Sequence, residues 1–212
     1  MISSESKVKS KIILSKNLNF NEDKLKKLEM YVNEVINYNK KYNLISKNSQ
    51  NDIWHRHVLD SAQLVKHIDH NNFSSLSDLG TGAGFPGIVL AIFYSDINKF
   101  HVKLFEKSKV KIKFINAVIK KIGLTNVFIY DNDYQSHKID SDYIVCRAFK
   151  NLGEILRISR ETVKNTHNLI VMMGKSAQEE INKASKDMIF KYKLVSSITQ
   201  SDSKILLVDA KK

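Results

Sequence analysis

The feature that most constrains the fold is the stretch 78–87, which reads Asp-Leu-Gly-Thr-Gly-Ala-Gly-Phe-Pro-Gly. It holds four of the seven glycines of this 212-residue chain and its only proline. Residues 74–79 before it predict a short strand, and the apolar residues 88–94 after it predict a buried helix. Glycines at such a strand-to-helix turn permit positive φ and let a ligand approach the main chain. The stretch therefore predicts a site where a nucleotide-like ligand meets the backbone at a helix N-terminus.

Two classes of cofactor are candidates for this turn. Residues 82–87 match the dinucleotide pattern G-x-G-x-x-G, with Glu106 about twenty residues further on as a ribose-binding carboxylate. However, Pro86 lacks the N–H that a pyrophosphate would need, and Asp78 would repel a pyrophosphate. S-adenosylmethionine carries an ammonium, a sulfonium and no phosphate. The turn therefore favours S-adenosylmethionine, and a nicotinamide-dependent oxidoreductase is the alternative.

Predicted strands and helices alternate from residue 74 onward, which is typical of a parallel sheet covered on both faces. We predict strands at 74–79, 100–106, 126–130, 143–147 and 168–173, and helices at 86–94, 108–122, 151–165 and 177–190. Segments 192–199 and 204–210 read as two further strands with no helix between them.

The first seventy or so residues predict helices only. Residues 1–16 are basic and helical or frayed, Asn21 can cap a long amphipathic helix, and 51–67 predict another helix. No Gly/Pro linker precedes the sheet. We therefore expect an N-terminal helical cap, residues 1–72, packed on a core domain, residues 73–212.

The charge and composition indicate the partner and the compartment. A formal charge of +12 and a pI of 9.6 favour a polyanionic partner such as RNA, although a compositional bias toward lysine is an alternative. One cysteine excludes an internal disulfide framework, and neither a membrane span nor a secretory signal is recognisable. We expect a cytoplasmic protein that binds no membrane; a monomer is compatible with these features.

His57, Asp60 and Ser61 lie on one face of a predicted helix. A hydrolase triad is rejected, because triad members normally come from separate elements and no nucleophile elbow follows. We interpret the motif as a local hydrogen-bond cluster that joins this helix to the core. The other histidines lack a convergent set of cysteines or carboxylates, so no metal site is predicted.

In their order along the chain, these motifs resemble the RsmG (GidB) family of bacterial small-subunit rRNA guanine-N7 methyltransferases. The resemblance covers roughly residues 42–180. It is carried by Tyr42-Asn43-Leu44-Ile45-Ser46, His57-Val58-Leu59-Asp60-Ser61, the turn 78–87, Glu106-Lys107-Ser108 with Lys111 and Phe114, and Ser141-Asp142-Tyr143-Ile144-Val145-Cys146-Arg147-Ala148. It implies a Rossmann-like class I methyltransferase fold, with a mostly parallel seven-stranded sheet and a terminal antiparallel hairpin. It also implies S-adenosyl-L-methionine as cofactor and 16S rRNA of the small ribosomal subunit as substrate.

Ligands of open α/β sheets bind beyond the carboxyl ends of the strands. The predicted cofactor-binding residues are accordingly Asp78, Gly80, Gly82, Phe85, Glu106, Tyr134, Gln135 and Arg147. Glu106 is expected to accept both ribose hydroxyls, and Arg147, at a family position, to bind the cofactor carboxylate or the RNA. Tyr134 and Gln135 stand where the resemblance implies an adenine contact.

Three positions depart from the family pattern. Asp133 and Gln135 stand in place of an Arg-x-Glu-like sequence, and Met173 stands where a lysine precedes Gly174, with Lys175 just after. These departures leave open a third class, a non-catalytic RNA-binding protein on a degenerate methyltransferase fold.

No catalytic acid or base is predicted. Guanine N7 has a lone pair and no hydrogen, so its methylation requires alignment rather than proton removal. Cys146 at the end of a central strand is interpreted as a buried thiol rather than the nucleophile of a cytosine-C5 methyltransferase. The N-terminal part of the lysine-rich helix after Glu106 is expected to contact RNA phosphates, while its later lysines lie further away; a solvated helix face is the alternative.

Overall fold

A computed structural model describes residues 3–131, 138–163 and 166–210. Seven strands form a single sheet in the order β3-β2-β1-β4-β5-β7-β6. The strands are β1 (Ser75–Leu79), β2 (His101–Phe105), β3 (Val127–Tyr130), β4 (Tyr143–Arg147), β5 (His167–Met173), β6 (Tyr192–Ser196) and β7 (Lys204–Ala210).

The first five strands run parallel, and β7 runs antiparallel to both β5 and β6. The predicted mostly parallel sheet with a terminal antiparallel hairpin is thus confirmed. The chain order reverses between β1 and β4, so these neighbouring strands form the topological switch point, where ligands of open α/β sheets bind.

The helices lie before the sheet and between its strands. They are α1 (Ser4–Leu18), α2 (Glu22–Tyr42), α3 (Lys47–Gln50), the composite segment α4 (Trp54–Leu59, Asp60–Ala62 and Gln63–His67), α5 (Gly87–Phe93), α6 (Lys109–Ile122), α7 (Leu152–Thr162) and α8 (Ala177–Asp187). Segment α4 begins as a π-helix and ends as a 3₁₀-helix. None of the described helices combines the length and hydropathy needed to cross a membrane.

The N-terminal helices are capped and buried against the rest of the protein. Asn21 accepts a hydrogen bond from the N–H of Lys24, which confirms the predicted cap of α2. The basic N-terminus forms a continuous helix rather than a frayed one, because Leu14 and Leu18 are buried. Trp54 of α4 is also buried.

Two apolar clusters cover the two faces of the sheet. One joins α1, α2, α4, α5 and α6 to the sheet, and the other joins α7 and α8 to it. The predicted helices 151–165 and 177–190 end earlier, at Thr162 and Asp187, where the backbone becomes extended. The division into a cap, residues 1–72, and a core domain, residues 73–212, stays a prediction.

Candidate active site

The glycine turn connects β1 to α5 at the switch point and adopts a backbone that only glycine takes easily. Gly80, Gly82 and Gly84 have φ values of +72°, +63° and +101°. The N–H of Gly80 donates to the carbonyl of Phe105 at the end of β2. The turn is therefore tied to the neighbouring strand as well as to its own.

The turn also contacts helix α2 and the end of β4. The hydroxyl of Tyr31 in α2 donates to the carbonyl of Ala83 over 2.8 Å. A Cβ atom at Gly80 would lie 2.4 Å from a ring carbon of Phe149, which follows β4. Only a glycine permits this approach of the turn to Phe149.

Asp78 lies beneath the turn. Its carboxylate is fully buried and accepts a hydrogen bond from the N–H of Gly87 over 2.8 Å. Burial raises the pKa of Asp78 to about 7, although the nearby hydroxyl of Thr81 and the hydrogen bond from Gly87 oppose this rise. Asp78 thus binds the first residue of α5 in this structure, and its contact with a cofactor stays a prediction.

Gly87 sits where helix α5 packs directly on β1 and β2. A Cβ atom there would lie 2.2 Å from Cδ2 of Leu104 and 2.6 Å from Oδ2 of Asp78. We expect Gly87→Ala to lower the free energy of unfolding by about 2 kcal/mol, a typical effect of overpacking a core. Urea denaturation of both proteins measures this change.

Gly153 in the first turn of α7 is the matched control. A Cβ atom at Gly153 would meet only Oδ1 of Asn151, at 3.6 Å, so alanine fits there. We expect Gly153→Ala to be neutral or to stabilise by about 0.5 kcal/mol, because alanine favours the helix. Equal effects of the two substitutions would contradict the close packing at Gly87.

Glu106 follows β2 and faces the glycine turn. One carboxylate oxygen accepts from the N–H of Gly82 over 3.0 Å, and the other accepts from the N–H of Ser108 over 2.8 Å. The ammonium of Lys111 lies 3.9 Å from the same carboxylate. Each oxygen of a carboxylate has two lone pairs, so both retain acceptor capacity toward a ligand.

Phe85 and His57 form an aromatic wall beside the turn. The ring of Phe85 lies 4.9 Å from that of His57 in α4 and 5.1 Å from that of Tyr31, centroid to centroid. Neither ring nitrogen of His57 has a hydrogen-bond partner within the described part of the chain. Burial, helped by the charges of Arg147 and Arg56, lowers the pKa of His57 to about 3, so the imidazole is neutral.

Arg147 ends β4 across from the turn. Its Nη2 donates to the carbonyl of Arg56 over 2.8 Å, and its Nε lies 3.5 Å from a carboxylate oxygen of Asp60. Its Nη1 is buried and has no hydrogen-bond partner among the residues that the structure describes. One donor nitrogen of the guanidinium is thus left for an anionic group.

A cleft of about 250 Å³ opens beside Arg147, at the carboxyl ends of β4 and β5. Its lining includes Asp60, Gln63, Arg147, Phe149, Gln200 and Lys204. Because Phe149 also contacts Gly80, this cleft adjoins the glycine turn. The turn and the cleft together form one candidate active site.

Six predicted site residues share this edge of the sheet: Asp78, Gly80, Gly82, Phe85, Glu106 and Arg147. Tyr134 and Gln135, and also Asp133, lie outside the described residues.

Cys146 is buried as predicted, and burial raises the pKa of its thiol. Met173 lies in the cleft, whereas Lys175 is exposed. The described residues contain no group of three or more His, Cys, Asp or Glu placed to hold a metal.

Sequence reasoning missed two parts of the site. Tyr31 was not singled out, although a tyrosine among the apolar positions of α2 requires a partner for its hydroxyl. The loop between β6 and β7, residues 197–203, was predicted in part as strand. No local sequence pattern predicts this loop as part of the site, because it is held there by contacts with α4, which is distant in the sequence.

The fold has counterparts among solved structures. The fold is similar to that of an S-adenosylmethionine-dependent methyltransferase from Aquifex aeolicus, with a TM-score of 0.54 and 16% identity over 70% of this chain and 88% of that chain. It is also similar to ribosomal protein L11 methylase from Lactobacillus delbrueckii subsp. bulgaricus, with a TM-score of 0.58 and 12% identity over 74% and 80%. The fold is therefore that of the Rossmann-like methyltransferases, as predicted.

Sequence comparison then defines the family. The model of GidB, rRNA small subunit methyltransferase G, matches residues 24–208. Ribosomal RNA small subunit methyltransferase G from Pelagibacter ubique (strain HTCC1062) is 33% identical over 196 residues, which cover 91% of this chain and 92% of that protein. Its counterpart from Rickettsia prowazekii (strain Madrid E) is 36% identical over 185 residues, 87% of this chain and 93% of that protein. The chain belongs to the GidB family, which confirms the predicted resemblance.

Proposed function

We propose that this protein transfers the methyl group of S-adenosyl-L-methionine to N7 of a guanine in 16S rRNA of the small ribosomal subunit. The observation that carries the proposal is the position of the Glu106 carboxylate and the Arg147 guanidinium on either side of the glycine turn, in a chain of the GidB family. The family match does not favour the nicotinamide-dependent alternative.

The residues at the turn fit this cofactor. A Cβ atom at Gly82 would meet nothing nearer than 3.8 Å, so the space above this glycine is open. Glu106 can accept the two ribose hydroxyls with its remaining lone pairs, and Nη1 of Arg147 can donate to the cofactor carboxylate. Phe85 would line the pocket, and Tyr134 and Gln135 are proposed to contact adenine.

Catalysis would rest on alignment. The cofactor supplies an electrophilic methyl group on a sulfonium, and guanine N7 supplies the attacking lone pair. Because N7 carries no hydrogen, no side chain has to remove a proton, and we assign no catalytic acid or base. The role of this chain would be to hold the two reactants in line at the switch point.

The charge distribution supports RNA as substrate. Helix α6 starts close to Glu106 and exposes Lys109 and Lys113 in its first half, whereas Lys120 and Lys121 lie in its last turn and Lys121 pairs with Glu34. Cations on one helix beside the site can neutralise RNA phosphates. We also infer a cytoplasmic location, since assembled small subunits and a free buried thiol at Cys146 fit that compartment.

A methyl-transfer assay tests the proposal. The purified protein would be incubated with methyl-labelled S-adenosylmethionine and with small subunits that lack this modification, and the labelled base would be mapped. We expect label in N7-methylguanine of 16S rRNA. Cofactor binding without any label would instead support a non-catalytic RNA-binding protein, and label in another base would contradict the guanine assignment.

A further inference from the structure

Asp60 of the His57-x-x-Asp60-Ser61 motif binds the loop between β6 and β7, whereas the polar side-chain atoms of His57 and Ser61 have no hydrogen-bond partner among the described residues. Oδ1 of Asp60 accepts a hydrogen bond from the hydroxyl of Thr199 over 2.7 Å. Gln63, one helical turn further along α4, accepts from the N–H of Ile198 over 2.9 Å and donates to the hydroxyl of Ser197 over 3.0 Å. Two side chains of α4 therefore hold three consecutive residues of the loop.

The same two side chains are joined to each other and to the end of β4. Nε2 of Gln63 donates to Oδ1 of Asp60 over 2.9 Å, and Oδ2 of Asp60 faces Nε of Arg147 at 3.5 Å. Gln63 is almost fully buried, with 2% of its surface exposed. This network is more than local, because it connects α4, β4 and the C-terminal hairpin.

The loop is closed on itself and turned toward the cleft. The N–H of Ser203 donates to the carbonyl of Gln200, and the N–H of Ser197 donates to the carbonyl of Ser203. Gln200, Ser203 and Lys204 all line the cleft that Arg147 and Phe149 also line. The loop therefore forms one wall of a cleft next to the glycine turn.

We propose that loop 197–203, together with Lys204, is a specificity element that contacts the target nucleotide, and that Asp60 and Gln63 position it. This inference rests on the proposed function, since it concerns the RNA side of the same site. A base stacked within an RNA helix cannot reach the active site of an enzyme, so the target nucleotide must leave the stack and enter a pocket of the protein.

The chemistry of the cleft fits a single unstacked guanosine. The ring of Phe149 offers a stacking surface, and the ammonium of Lys204 and the amide of Gln200 offer donors for O6 or for a phosphate oxygen. The Gln200 amide also offers an acceptor for the N–H groups of guanine. The cleft lies on the β5 and β7 side of Gly80, away from Glu106, which leaves the glycine turn for the cofactor.

A pair of lysine substitutions tests the contact. Lys204→Ala removes the lysine with which the hairpin lines the cleft. Lys193→Ala removes another lysine of the same hairpin, beside His67 at the opposite edge of the sheet. We expect Lys204→Ala to raise KM for small subunits about tenfold, the effect of one lost hydrogen bond to a charged group. Lys193→Ala should leave KM unchanged, and both variants should keep the wild-type Kd for S-adenosylmethionine.

A second pair tests the positioning role. Thr199→Val keeps the shape of the side chain but loses the hydroxyl that Asp60 binds, whereas Thr199→Ser keeps that hydroxyl. Thr199→Val should raise KM for small subunits about fivefold with little change in kcat, and Thr199→Ser should restore the wild-type value. Thermal unfolding of each variant shows whether the fold is kept.

Two outcomes overturn the inference. Unchanged KM in both Lys204→Ala and Thr199→Val would remove the loop from the RNA site. A weaker Kd for S-adenosylmethionine in Lys204→Ala would assign the cleft to the cofactor. If the wild-type protein transfers no methyl group, the proposed function fails, and binding of small subunits to the same four variants still decides whether the loop contacts RNA.

Discussion

Asp78→Asn is expected to stabilise the protein increasingly as the pH rises from 4 to 8. The folded protein binds a proton at Asp78 up to about pH 7, whereas the unfolded chain releases it near pH 3.8. The wild-type protein therefore loses stability as the pH rises through this range, because ionising the buried carboxyl opposes folding. Asparagine does not titrate and can still accept the hydrogen bond from Gly87.

The expected size of this effect is large. A difference of about three pKa units corresponds to roughly 4 kcal/mol. The free energy of unfolding of Asp78→Asn minus that of the wild type should therefore be about 4 kcal/mol greater at pH 8 than at pH 4. Urea denaturation at several pH values measures this difference.

A surface substitution controls for the loss of one negative charge. Asp187→Asn removes a carboxylate at the exposed C-terminal end of α8. The difference between Asp187→Asn and the wild type should vary much less with pH than that of Asp78→Asn. An Asp78→Asn difference that is constant from pH 4 to pH 8 would contradict a raised pKa for the buried carboxyl.

Glu106→Ala is expected to weaken S-adenosylmethionine binding about a hundredfold. Two proposed hydrogen bonds from ribose hydroxyls to a carboxylate would be lost, together roughly 3 kcal/mol. The substitution also frees the N–H groups of Gly82 and Ser108. Glu106→Gln retains a single acceptor oxygen, so its affinity for S-adenosylmethionine should lie between that of the wild type and that of Glu106→Ala. Isothermal titration calorimetry measures the three affinities.

An analogue of the cofactor that lacks both ribose hydroxyls separates the two roles of Glu106. If the carboxylate binds the ribose, wild type and Glu106→Ala should bind this analogue with similar affinity. If the carboxylate only anchors the turn through Gly82, Glu106→Ala should weaken binding of the analogue by the same factor as it weakens binding of the natural cofactor. Glu154→Ala, on α7 away from the turn, serves as the control and should bind both ligands as the wild type does.

Much of the fold could be predicted because it depends on local patterns. The alternation of apolar strands and helices after residue 74 predicted the parallel sheet, and the family resemblance implied the closing antiparallel hairpin; the structure confirms both. Asn21 predicted the start of α2, since a cap bonds to an N–H only three residues away. Element ends were less accurate: α7 and α8 end before the predicted positions.

The sequence by itself also determined the glycine turn, with Glu106 and Arg147 at the ends of two predicted strands. These residues lie at one edge because parallel strands end together, a rule that needs no knowledge of side-chain packing. The same signals, in order, were enough to recognise the family that the comparisons define.

Only the tertiary structure decided what the polar side chains of the site contact. The packing of α5 on the sheet buries Asp78 against the N–H of Gly87, a contact that the sequence did not predict, and its contact with the cofactor stays a prediction. Asp60 bonds to Thr199, 139 residues away, because α4 and the C-terminal hairpin meet at the same edge of the sheet. Periodicity and capping report on neighbours along the chain, whereas these contacts depend on how whole layers pack, so the sequence alone could not predict them.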